Sequence, residues 1–482
     1  MRILENLEPK AVLGYFEDIC AIPHGSRNEK QLSDYLVKFA TELGLEHYQD
    51  EAYNVIIIKE ATKGYESAEP IILQGHIDMV CEKESGVDFD FTKDGLKLKL
   101  DGDILTADGT TLGGDNGIAV AMEMAVLASD DLAHPRIEAV FTTDEETGLF
   151  GAESIDVSML KGKKFINIDS EDEGIFTVSC AGGVTAISTI PVTRQNSTGN
   201  SIKIKVAGLI GGHSGMEIHK ERANASILMG RILYTLSDEI DFNLVSLEGG
   251  SADNVITKES VSEIIVSKDN LAKAIDIIDA LAKTIKHEFR VSDGNINIQA
   301  VSGDEINVDA VTVKDTAALA AFLLNYPQGV QNMSIEIDGL VETSINLGIA
   351  KLTDDSLSLT SAIRSAVDSR TSYIAQKVSA MTKAFGGTIV LDGAYPGWEY
   401  MKDSSLRDLM IKVFEKQYGK PPVIEAIHAG LECGMFAQKI KDLDCISIGP
   451  DLRDVHTPDE SMDIASVKRV WEFLVEVLKE SK

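Results

Sequence analysis

Four short apolar runs between residues 54 and 172 (NVIIIKE, PIILQGHID, RIEAVFTTDEE and KFINIDSED) constrain the fold more than anything else in the chain. Each is long enough for one buried strand and too short for a helix. Three of them finish on histidine or carboxylate side chains: His76 with Asp78, Asp144 through Glu146, and Asp169. Among them lies GGDNGIAVAMEMAVLAS, with Ile118, Ala121, Met122, Ala125 and Val126 at helical spacing. Strands alternating with helices predict an α/β domain on a mainly parallel sheet with helices on both faces.

The texture changes over 187–390, where longer β-rich stretches (SIKIKVAGLI, VETSINLGIAKL, SLSLTSAIRSAV) alternate with amphipathic helices such as NLAKAIDIIDALAKTIKHEF. A block of roughly 200 residues suits one inserted α+β domain or two small α/β halves. After YPGWEY the first texture returns, and a last helix from about Ser466 puts Val467, Val470, Trp471, Leu474, Val477 and Leu478 on one face. The organisation expected is a domain formed by 1–186 and 391–482, interrupted by a lid at 187–390.

Composition narrows the partners. A net charge of −32 repels nucleic acid and anionic membrane surfaces. No apolar stretch reaches bilayer-spanning length and the N-terminal segment lacks a signal-peptide pattern, so a cytoplasmic protein is expected. The five cysteines are scattered with no CxxC pair. That fits a reducing compartment, with each thiol acting as a small buried hydrophobe.

His76 and Asp78 are two apart, so in a strand they project to the same side. There the carboxylate can hold one imidazole nitrogen while the other binds a metal ion. Taken singly, each candidate has an ordinary explanation. His76–Asp78 closes a strand as a polar pair, Asp115 caps a helix, and Asp144–Glu146 is a solvated acidic loop. Taken together with Asp169 and with His456 in RDVHTPDE, they all lie at strand ends or a helix start, where an open parallel sheet gathers its ligands. Two histidines and three carboxylates suit Zn²⁺, Mn²⁺ or Co²⁺. Shared around one carboxylate they would hold two ions, which lower the pKa of bound water. Glu145, next to a ligand, is then free to move a proton.

In order along the chain, IPHGSRNE, LQGHIDMVCEK, TLGGDNGIAVA, TTDEETGLFGA, NIDSEDEG, GGHSG, HAGLECG and DVHTPDE resemble the M20 family of co-catalytic metallopeptidases, and within it the aminoacyl-histidine dipeptidase branch. The resemblance implies two divalent ions, most readily Zn²⁺ with Co²⁺ or Mn²⁺ as alternatives. His76, Asp115 and Asp169 would hold one ion and Asp115, Glu146 and His456 the other. It implies further that Asp78 orients His76 and that Glu145 is general base and acid. In the lid it implies His213 as the donor to the developing oxyanion, with His219 competing for that role. Asn254 and Arg364 become substrate contacts, Arg364 for a terminal carboxylate. His428 and Glu432 stand where many relatives carry small residues, and Gly430 keeps a close backbone approach. His428 could meet the substrate or pack.

The activity so implied is hydrolysis of unblocked dipeptides, preferring a C-terminal histidine. Another amidohydrolase of the family (a tripeptidase, a broad dipeptidase or a deacylase) is the alternative, and a non-catalytic metal-binding scaffold is a further one. The expected partner is a small peptide, with no nucleic acid and no membrane. Relatives with a small lid take its histidine from a partner subunit, so a homodimer through the lid is expected, although a large lid could supply that histidine within one chain.

Overall fold

The computed structural model describes residues 2–482. The chain forms two compact units. One runs to Ser179 and resumes over Tyr400–Ala426 and Leu431–Lys482; the other comprises Cys180–Glu399 and Ile427–Gly430.

The first unit is built on an eight-stranded sheet. Its order is Glu46–Gln49, Val55–Lys59, Ile137–Thr142, Ile71–His76, Lys164–Asn167, Asp444–Ser447, Ile175–Cys180, Val423–Ile427. The four strands from Ile137–Thr142 to Asp444–Ser447 run parallel. Their flanks are antiparallel, through Val55–Lys59 on one side and Ile175–Cys180 on the other. Every residue of Ile71–His76 and Ile137–Thr142 is buried, which explains why these strands are continuous apolar runs instead of alternating ones. Because the central four share a direction, His76 closes its strand at the same edge where the chain leaves Thr142 and Asn167.

The helix Gly114–Ala128 is buried nearly all round and lies against Ile71–His76. Gly75 permits that approach, since a Cβ there would stand 2.6 Å from Asn116 Oδ1 and 2.7 Å from Ala119 Cβ. The last helix, Ile464–Glu480, begins two residues before the periodicity predicts, because Asp463 caps it by accepting from the Ser466 N–H. Phe473 is in its buried face and Trp471 sits half-buried beside it. Each such large apolar side chain, fully buried, contributes about 1.5–3 kcal/mol. A second, four-stranded sheet of this unit has the order Leu452–Arg453, Ser461–Asp463, Ile104–Ala107, Leu98–Asp101. Its first two strands pair as a hairpin whose connecting loop, 454–460, carries His456.

The second unit has one nine-stranded sheet in which all pairs are antiparallel. One large hydrophobic cluster runs from Val184 to Val378 and a small one gathers Ile218, Ile256 and Val341, an arrangement that does not divide the block into two halves. The unit reaches past the expected 187–390 limits because Gly182–Pro191 and Thr388–Tyr395 pair with each other inside its sheet. His428 and Gly430 also belong to it. Of the cysteines, four are buried as expected, but Cys81 is exposed. Among the described residues no helix is long and apolar enough to cross a membrane.

Candidate metal centre

His76 is 1% exposed, and its ring nitrogens face two ways. Nδ1 lies 3.0 Å from the Asp78 carbonyl oxygen and 3.3 Å from Asp78 Oδ1, so the main chain holds the ring more closely than the carboxylate does. That leaves Nε2 facing Asp115 Oδ1 at 3.1 Å and Asp169 Oδ1 at 3.5 Å. The other oxygen of Asp115 is 3.1 Å from His456 Nε2, which also approaches Glu146 Oε1 at 2.9 Å. Asp115 thus stands between two imidazoles, one on each oxygen. It caps nothing: its own φ and ψ are non-helical, and Gly113 occupies the cap position.

The carboxylate of Asp78 has a different task. Its oxygens accept from the N–H of Glu145 (3.0 Å), the N–H of Glu146 (3.3 Å) and the Ser26 hydroxyl (2.8 Å). It therefore fixes the acidic turn that follows Ile137–Thr142, as well as lying beside His76. One oxygen of Glu145 lies within 4.8 Å of ligand atoms of His76 and Glu146. Asp144 and His456 have φ of 50° and 64°, a left-handed backbone that costs non-glycine residues about 1–3 kcal/mol and concentrates at functional sites.

These residues fit a pair of cations. Tetrahedral ligands about 2.0–2.1 Å from zinc stand roughly 3.4 Å apart, close to the nitrogen–oxygen separations here. The set is also short of positive charge. Burial, with the charges of neighbouring Asp115 and Glu146, moves Asp169 up to about 6 even though His76 opposes it. Burial and the charges of Asp169, Glu432 and Glu146 raise Glu145 well above the ordinary carboxyl range, again against His76. Nearby, burial lifts Glu171 to about 7 and Glu432 to about 8.

The histidines move in the sense that predicts how ions enter. For His76, burial favours the neutral ring, but hydrogen bonds to Asp115 and Asp169 outweigh it and the pKa rises. Hydrogen bonds to Asp115 and Glu146 bring His456 up to about 11. The same acidic neighbours thus favour the protonated form of both rings in the metal-free protein. Their raised pKa values stabilise that state below the unfolded value of about 6.5. The contribution is lost as pH rises through the folded values. Since ligation needs neutral imidazole, binding the ions at pH 7 is expected to release protons, with affinity rising with pH. Calorimetry in buffers of different ionisation enthalpy measures this, and proton-free uptake would contradict it.

The remaining predicted residues gather in the second unit. His213 Nδ1 accepts from the N–H groups of Gly215 (3.3 Å) and Met216 (3.1 Å), so its proton sits on Nε2. Burial and the charge of Arg364 lower its pKa, which keeps the ring neutral. His219 lies exposed in the short turn Ile218–Lys220. Arg364 Nη1 donates to the Tyr395 hydroxyl (2.9 Å), while its buried Nε has no partner. Tyr395 is fitted between two glycines, because a Cβ on Gly183 or Gly430 would come within 2.9 Å of its side chain. His428 Nε2 faces Ser344 Oγ at 2.7 Å, and the ring also hydrogen-bonds the Val341 backbone. Burial first, then Arg364, drop its pKa to about 3. Asn254 is exposed, and its carbonyl accepts from the Ser214 N–H at 2.8 Å.

Three further residues shape the site, and of these the sequence singles out only Glu432, without a role. Asn116 accepts from the His76 N–H at 3.2 Å and donates to the Ile168 carbonyl at 2.7 Å, linking the two strands that end at His76 and just before Asp169. Glu432, fully buried, accepts from Gln74 and from the Thr142 hydroxyl (2.7 Å) beneath the strand ends. Tyr395 is a third. For Asn116 the hint is a polar residue beside Asp115 in GGDNG, and Tyr395 has none.

The sequence pattern of peptidase family M20/M25/M40 matches residues 72–480. The cytosol non-specific dipeptidase of Escherichia coli (strain K12) is 36% identical over 484 residues, covering 100% of this chain and 99% of that protein. The crystal structure of an aminoacylhistidine dipeptidase from Vibrio alginolyticus matches with a TM-score of 0.94 at 37% identity, covering 99% of this chain and 97% of that one. An aminopeptidase from Bacillus cereus shares the fold, with a TM-score of 0.55 at 15% identity over 98% of both chains. The chain belongs to the M20 peptidase family, hydrolases that act on peptide bonds.

Proposed function

We propose that this protein is a cytoplasmic, two-metal dipeptidase that removes a C-terminal histidine from unblocked Xaa-His dipeptides. The observation that carries the reading is Asp115, one carboxylate shared by two imidazoles, with Asp169 completing one three-residue set and Glu146 the other. Divalent ions held there, most readily Zn²⁺, would supply a water ionised near neutral pH and polarisation of the peptide carbonyl. Glu145, buried beside the ligand set, would take a proton from that water and return it to the leaving amine. Asp78 keeps His76 turned toward Asp115 and keeps the Glu145–Glu146 turn in place. His213 offers its Nε2–H to the carbonyl oxygen as negative charge develops. Arg364, with an unpartnered Nε, takes the terminal carboxylate.

The histidine preference draws support from the Vibrio alginolyticus enzyme's name. The name of the Escherichia coli relative favours a second reading, a dipeptidase of broad specificity; it also supports the cytoplasmic location. A release assay separates them. Metal-stripped protein reconstituted with Zn²⁺, Mn²⁺ or Co²⁺ is given β-Ala-His, Gly-His and a panel of Gly-Xaa dipeptides. The first reading expects histidine release at least tenfold faster than release of other C-terminal residues. Equal rates across the panel would favour broad specificity, and metal-independent cleavage would defeat both.

A further inference from the structure

Glu460 takes no part in the chemistry above, yet it is 2% exposed and its carboxylate accepts four consecutive backbone N–H groups. Oε2 accepts from Leu112 (2.7 Å) and Gly113 (3.1 Å), and Oε1 from Gly114 (2.9 Å) and Asp115 (3.3 Å). The donors belong to the glycine-rich turn that ends on Asp115. The acceptor sits in the hairpin loop that carries His456. One carboxylate therefore ties together two loops, 345 residues apart in sequence, whose side chains face each other across Asp115 Oδ2 and His456 Nε2.

An ordinary helix cap would not require this arrangement. A local Ser, Thr or Asp satisfies one or two N–H groups from within its own turn. Here a distant side chain meets all four, at the one helix start that delivers a shared carboxylate. Its backbone is irregular, with Gly113 at φ of 67° and Asp115 and Asn116 non-helical, and its other ties are the Gly113 carbonyl, which accepts from the Gly117 N–H, and the Asn116 side chain. Removing the carboxylate would leave buried N–H groups unpaired and let the turn relax, moving Asp115 relative to His456.

We propose that Glu460 is a positioning residue of the metal centre. It sets Asp115 against His456 and so determines the affinity of the ion site formed by Asp115, Glu146 and His456. The proposal rests on the reading of Asp115 as a ligand shared by two ions.

The full-length protein, stripped of metal, is titrated with Zn²⁺ by calorimetry, and activity is followed against free Zn²⁺. Wild type is expected to take up two ions. Glu460→Gln, with an amide that can accept at only one atom, is expected to bind one ion normally and the other about 10–100-fold more weakly. Its kcat should recover to within about tenfold of wild type at saturating Zn²⁺, because the clamp acts on the site and not on the reaction. Glu460→Asp, which keeps the charge with a shorter reach, should weaken the same ion less. Asp293→Asn is the control. Asp293 is 1% exposed and accepts from the Ile210 and Ala223 N–H groups in the second unit. Its loss should leave the zinc isotherm unchanged.

An unaltered isotherm for Glu460→Gln, or an equal weakening by Asp293→Asn, overturns the proposal. So does activity that excess Zn²⁺ cannot restore, which would mark Glu460 as purely structural. If wild type itself takes up no zinc, the reading of the centre fails first, and that result is distinguishable from the others.

Discussion

Glu145→Gln is expected to lower kcat by about 10²–10⁴-fold, the range that general acid–base catalysis supplies. The amide has nearly the same size and cannot take a proton. The main chain of this position is held independently of its side chain, because the Glu145 N–H donates to Asp78 Oδ1 at 3.0 Å. The turn should therefore keep its course in the variant, with Glu146 still beside His456. KM and the number of bound ions are expected to stay near wild type. Metal analysis decides an ambiguity in the geometry: His76, Glu145 and Glu146 also form a set whose ligand atoms lie within 4.8 Å of one another. If Glu145→Gln loses an ion along with activity, Glu145 is a ligand, and the proton carrier must be sought elsewhere. Activity within tenfold of wild type, with both ions bound, would remove Glu145 from the chemistry.

The ligand candidates were legible in the sequence for a physical reason. A buried strand offers little else to read, so a histidine or carboxylate at its tip stands out, and parallel strands bring their tips to one edge. His76, Glu146 and Asp169 were readable on those grounds. Of what holds them, only Asp78 was readable, as the carboxylate two residues from His76. Glu460 and Asn116 act on the main chain, and a backbone N–H or carbonyl has no sequence signature. The direction of a strand is equally silent. Val55–Lys59 is as apolar as Ile71–His76, yet it runs antiparallel to its neighbour while the other runs parallel. The expected limits of 187 and 390 fall inside two strands for a related reason. The pairing of Gly182–Pro191 with Thr388–Tyr395 spans the whole insertion, and local texture cannot register a partner some two hundred residues away.

The preference for His213 over His219 shows what geometry adds. Both stand in one glycine-rich segment, and residue type cannot separate them. Only His213 has its Nδ1 tied to two N–H groups, leaving a single donor on the far side of the ring. Likewise His428 looked free to meet a substrate imidazole from sequence alone. Its two ring contacts lie within its own unit, on Ser344 and Val341, so a direct role would require exchanging one of them.

The larger effect is expected at Asp115. Asp115→Asn should abolish tight binding of both ions together and reduce activity by at least about 10³-fold, since the reaction as proposed has no nucleophile without them. The substitution preserves shape, so the argument concerns charge and the count of acceptors. Asp115 serves His76 with Oδ1 and His456 with Oδ2. An asparagine amide is uncharged and accepts at one oxygen only, and the NH₂ at the other position cannot ligate a cation. What remains is His76 with Asp169 and Glu146 with His456, two ligands in each set, fewer than the three protein ligands usual at a catalytic zinc. Asp169→Asn should instead weaken a single ion, because Glu146 and His456 still share Asp115. Metal stoichiometry at limiting Zn²⁺ separates the two variants. Equal loss of one ion in each would show that Asp115 serves a single site, and the shared-carboxylate reading would then fail.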